Sequence, residues 1–143
     1  MIGLATCSWR AYRPEMGVAV RITLGTPPRW FDHPYEEVRL LAPPPQVFRL
    51  SDWDEFRRKY RHHLHRTTSA RLRTIFEAIG ERHPGRRLVL LCFEFDPADC
   101  HRGLWAEWWF QQTGERVPEL RPEGEEKRPD GPQPSLFDGE ETA

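Results

Sequence analysis

Arg87-Leu-Val-Leu-Leu-Cys-Phe-Glu94 is the most apolar stretch of the chain, and it runs through a short loop into Cys100-His101-Arg102. A continuous apolar run bounded by charges is the pattern of a central parallel strand covered on both faces. Asp96-Pro-Ala-Asp99 then offers a cap for a helix over 100–113, which Gly114 ends. In open α/β sheets ligands gather outside the carboxyl ends of the strands, where first-turn N–H groups are unpaired and the helix dipole favours anions. The pattern therefore delivers a thiol, an imidazole and a guanidinium to a place where ligands bind.

Working outward, residues 2–8 read as a first buried strand and 18–24 as a second, in which Val18, Val20, Ile22 and Leu24 alternate with Ala19, Arg21 and Thr23. Residues 37–41 suggest a short strand stopped by the prolines at 43–45. Ser51 is placed to cap a helix whose Trp53, Phe56, Tyr60 and Leu64 share one face. A second helix starts at Thr67 or Thr68, with Leu72, Ile75, Phe76 and Ile79 as its apolar stripe. Residues 116–120 fit an edge strand, because Pro118 cannot donate to a central ladder. Strands alternating with helices define the fold class: a three-layer α/β domain over residues 1–120 with a small, mostly parallel sheet of four or five strands. From 121 to 143 there is little to bury, so the expectation is a disordered acidic tail.

The length of 143 residues suits one domain, and no apolar run is long enough to span a membrane. The apolar N-terminus lacks the basic flank of a signal peptide, and three cysteines make an odd count. Reduced thiols in a cytoplasmic protein, rather than a disulfide framework, are the expectation. The formal net charge of −1 hides an asymmetry. Ten Arg or Lys residues fall between 57 and 87 against Glu77 and Glu81, whereas seven acids face three bases after residue 120. A basic body suits a polyanion partner such as nucleic acid, and an acidic tail could shield it.

Chemistry concentrates at the strand ends. Cys100, at a helix N-terminus, would be a stabilised thiolate, His101 a proton carrier near neutral pH, and Arg102 a fork for phosphate or carboxylate. If the first strand lies parallel to 87–94, then Cys7, Ser8 and Arg10 open onto the same edge, with Glu94 at its lip. Two arginines facing one cleft call for an anion. An enzyme built this way would hold the anion with Arg10 and Arg102 and use His101 as acid/base and Cys100 as nucleophile. A non-catalytic nucleotide or modified-base binding module accounts for the same residues, so whether the chain is an enzyme stays open. A third reading sets Cys7, Cys92, Cys100 and His101 around zinc, but no CxxC pair exists, and neither a metal nor another cofactor is assigned. Trp105, Trp108 and Trp109 make an aromatic helix on which one exposed ring could stack with a base.

Leu88-Val-Leu-Leu-Cys-Phe-Glu94 followed by Asp99-Cys-His-Arg102 resembles the diagnostic segment of the DUF-488 family, a "TLLCYE…CHR" pattern. Arg116-Val-Pro-Glu-Leu120, Leu41-Ala-Pro43 and Trp53-Asp-Glu-Phe-Arg-Arg-Lys-Tyr60 resemble further stretches of that family. The resemblance implies a compact intracellular α/β domain with no assigned reaction, whose members are suspected of acting on or near nucleic acids. In the tail, Gln133, Ser135, Leu136 and Phe137 are similar to the bacterial peptide that binds the DNA sliding clamp, with Pro134 in place of the usual Leu. The resemblance implies docking of an apolar Leu-Phe pair in a pocket of the clamp. The sequence thus points to DNA metabolism or repair, with nucleic acid or a phosphate-bearing ligand and the clamp as partners and no membrane.

Overall fold

The computed structural model describes residues 2–94, 96, 98 and 100–122. Strands β1 (Leu4–Ser8), β2 (Val18–Arg21), β3 (Glu36–Glu37) and β4 (Leu88–Cys92) form one sheet in the order β1-β4-β2-β3, and every pairing is parallel. The apolar run 88–92 is fully buried between two partners, as its composition requires. Helices α1 (Pro45–Phe48), α2 (Trp53–Thr67), α3 (Ser69–Arg82) and α4 (His101–Thr113) complete the α/β domain.

The pleat sorts the core. Leu88, Leu90 and Cys92 face the helices, where Tyr60, Leu64, Leu72, Phe76 and the three tryptophans of α4 pack. Val89 and Leu91 face the other way, onto Cys7, Trp9, Tyr12 and Ala19. That second face is covered by irregular chain carrying Trp9, Tyr12 and Phe31 rather than by a helix. Large aromatic rings bury enough area to close it without regular structure.

Several boundaries depart from the sequence reading. Asp52, not Ser51, caps α2, its carboxylate accepting from the N–H groups of Asp54 and Glu55. A carboxylate at that place also meets the positive end of the helix dipole. Thr68 serves two helices, closing α2 and capping α3 by accepting from the Arg71 N–H. β2 stops at Arg21 because the next carbonyl, that of Ile22, is taken by His101. The segment 37–41 gives only the tip of β3. A 3₁₀ turn at Arg39–Leu41 follows and drops Leu41 into the core ahead of the prolines. Residues 116–120 do lie along the outer edge of β1, through a single parallel bridge between Thr6 and Glu119. No helix among the described residues is long and apolar enough to cross a membrane.

Candidate functional site

Parallel pairing sets Ser8 beside Cys92, so the loop after β1 and the Cys100-His101-Arg102 turn share the carboxyl edge of the sheet. What the turn does there differs from the expectation. Alternation along β4 sends Cys92 to the helix face, where Cys100 stands as the N-cap of α4, and the two sulfurs are joined at 2.08 Å. The expected reduced pair, and with it a free Cys100 thiolate, gives way to a disulfide. His101 lies with its ring against Tyr60 and its Nε2 at 2.7 Å from the Ile22 carbonyl. Burial pulls its pKa down to about 4, so it stays neutral where acid/base traffic near pH 7 was expected.

Arg102 is wholly enclosed. Its Nε and Nη2 donate to the Glu119 carboxylate at 3.1 and 2.8 Å, and Nη1 reaches the Glu94 carbonyl and the Cys92 sulfur. The fork expected to meet a ligand is turned onto the protein itself. Glu119 in turn accepts from the Thr6 hydroxyl, so this cluster bolts the 116–120 segment to β1 and α4. Arg10 is exposed in the turn after β1, whereas Arg102 is buried and turned onto Glu119. Ser8 is buried and its hydroxyl accepts from the Ala11 N–H. Glu94 is exposed at the lip. Cys7 projects to the opposite sheet face, donating to the Leu120 carbonyl. Burial, then the Glu119 charge, push its pKa up to about 12, which keeps the thiol protonated near neutral pH, and its sheet face sets it apart from the other two sulfurs.

The open cationic surface lies elsewhere. A groove of about 630 Å³ between α2, the segment around α1 and the start of α3 is lined by Arg58, Lys59, His62, Arg66 and Arg71, with no carboxylate in its wall. None of its four Arg and Lys side chains is ion-paired among the described residues. It adjoins a second groove of about 490 Å³, which shares Pro44 and His63 with it and reaches Arg21, Thr23 and Leu24 at the end of β2. Gly25 follows, close to the ring of Phe93, which is 45% exposed. Trp30, 61% exposed, stands out of the loop over the second sheet face. Trp105, Trp108 and Trp109 are all buried, so none of them stacks with a base.

Sequence reading missed this groove as a site although its signal, the excess of bases after residue 57, was in view. The missing element was the α1 segment, which folds back against α2 and makes a furrow from a helix face.

With fold and site in place, comparison with known proteins supplies the class. A family model described as the active DUF488-N3 subclade, DUF488-N3a, matches residues 4–113. The chain belongs to the DUF488 family, within that subclade. No curated protein and no solved structure matches it.

Proposed function

We propose that this DUF488 protein is a nucleic-acid-associated protein of DNA metabolism that follows a phosphate backbone along the groove between α2, α1 and α3. The observation carrying the reading is the groove wall itself: Arg58, Lys59, Arg66 and Arg71 line it with no carboxylate in the wall and no ion pair among the described residues, while Arg58 also borders a neighbouring groove with Asp54 and Glu107. Like charges gathered without partners repel, and phosphates would relieve that while releasing counterions. Exposed Phe93 supplies a flat apolar face near the strand-end edge, suited to an unpaired base. In this reading the Cys100-His101-Arg102 turn acts through the protein: it fixes the Ile22 carbonyl, the Glu94 loop and the 116–120 segment that frame the edge.

The tail enters the same reading. Gln133, Ser135, Leu136 and Phe137 lie outside the described residues, and their likeness to a clamp-binding peptide would tether the domain to replicating DNA.

The test is fluorescence anisotropy with labelled single- and double-stranded oligonucleotides at several salt concentrations. Replacing Arg58, Arg66 and Arg71 together by Ala should weaken binding and lower the slope of log K against log salt by roughly 0.9 per cation removed on duplex. An unchanged slope, or no binding by the intact chain at low salt, refutes the proposal. Deleting residues 133–137 should abolish binding to the sliding clamp, and unchanged affinity removes the tether.

A further inference from the structure

We propose that, once reduced, Cys92, Cys100 and His101 form a binding site for a thiolate-seeking divalent cation of the zinc class. The ligand atoms of all three residues lie within 4.8 Å of one another, and all three residues are buried. Two come from the N-terminus of α4 and one from the end of β4, so the ion would tie helix to strand at the central position of the sheet.

Geometry on the histidine side is already that of a ligand. A carbonyl can only accept, so the 2.7 Å contact with Ile22 fixes the hydrogen on Nε2. The Nδ1 lone pair is thereby left free and points to the Cys100 sulfur at 3.8 Å. A backbone carbonyl holding the far nitrogen is the usual support of a metal-bound imidazole. Zinc–sulfur and zinc–nitrogen bonds of about 2.3 and 2.0 Å at tetrahedral angles separate ligand atoms by roughly 3.6 Å. The sulfur–nitrogen distance already fits. The Cα atoms of the two cysteines stand 7.4 Å apart, which leaves room for two sulfurs to flank an ion.

Charge points the same way. Arg102 and Glu119 cancel each other, and Arg102 also donates to the Cys92 sulfur at 3.3 Å, as a cation supporting a thiolate would. Two buried thiolates would then carry an excess of two negative charges, which a divalent cation neutralises. Cys7, on the other face, is no part of the set. The fourth position falls to water, the arrangement of zinc sites with three protein ligands.

Loading takes two balanced steps. A dithiol gives two electrons and two protons to the Cys92–Cys100 bond and is left as its own disulfide. The cation then displaces both thiol protons to solvent as the two sulfur–metal bonds form.

The experiment is titration of the full chain with cobalt(II), oxidised and after reduction by a phosphine. Reduced protein should bind one equivalent, with a sulfur-to-cobalt charge-transfer band and tetrahedral d–d bands, and oxidised protein should show neither. Cys7→Ser should leave the spectrum intact, Cys92→Ser should remove most of the charge-transfer band, and His101→Gln should weaken binding at least about tenfold. A reduced, folded wild-type chain without the band overturns the proposal, as does a full band in Cys92→Ser. Should the variants fail to fold, zinc content of the reduced wild type after gel filtration decides: one equivalent is expected and should be lost when the Cys92–Cys100 bond is re-formed by oxidation, and no retained zinc, or zinc retained equally by the oxidised chain, overturns the site.

Discussion

Glu119→Ala is the substitution that bears hardest on how this domain is closed. Arg102 is fully buried and spends two of its N–H groups on the Glu119 carboxylate, whose side chain is itself only 21% exposed. Removing the carboxylate takes two charge-assisted bonds from a guanidinium held in the core, whose Nη1 bonds the Glu94 carbonyl and the Cys92 sulfur. Breaking a buried pair from one side costs about 3–5 kcal/mol, against a total stability of roughly 5–15 for a domain. The Thr6 hydroxyl loses its acceptor as well, so the 116–120 segment keeps its main-chain bonds to β1 and the bond from the Cys7 thiol to the Leu120 carbonyl. Urea unfolding followed by tryptophan fluorescence should show the loss, and thermal unfolding a fall in Tm of about 10–15 °C. The double variant Arg102→Met with Glu119→Leu should recover most of it, because no uncompensated charge remains. A cost below about 1 kcal/mol for Glu119→Ala, the size of a surface pair, would refute the claim that this ion pair is buried and structural.

Cys7 should resist iodoacetamide in the folded chain at pH 8 and react only on unfolding, since burial holds its pKa near about 12; mass spectrometry of the alkylated peptide reads this directly. Glu36, gripped by Arg82 at 2.7 Å and by His83, has its pKa lowered to about 2, so its contribution is complete above the unfolded value of 4.5 and fades as pH falls toward 2. Glu36→Gln should therefore flatten stability against pH over that interval, and an NMR titration of the Glu36 carboxyl should move upward in Arg82→Ala. Gly17 sits at φ +143°, and a Cβ there would meet the Arg87 carbonyl at 2.5 Å. Gly17→Ala should cost several times the roughly 1 kcal/mol expected for Gly114→Ala, whose Cβ would meet open space at a left-handed helix end; denaturant midpoints of the two variants give the comparison.

Local pattern was enough for β1, β2, β4 and the three long helices, while α1 and the 3₁₀ turn at Arg39–Leu41 were not legible in it. The apolar run 88–92 declares a central strand because only a position covered on both faces tolerates five successive buried residues. Trp53, Phe56, Tyr60 and Leu64 declare α2 by their helical spacing, and the charge excess after residue 57 declares a cationic face. Even the meeting of the β1 and β4 ends follows from parallel pairing. Tertiary structure alone decided what the polar groups at that edge would touch. Side-chain partners far apart in the chain, such as Arg102 with Glu119, His101 with the Ile22 carbonyl, and Cys92 with Cys100, are set by packing, which no periodicity encodes. Burial then turned a motif that reads as an open anion site into a closed structural joint, because a charge taken out of water must find its partner inside the protein. The exposed cations of α2 faced no such demand, and the fold left them lining a groove.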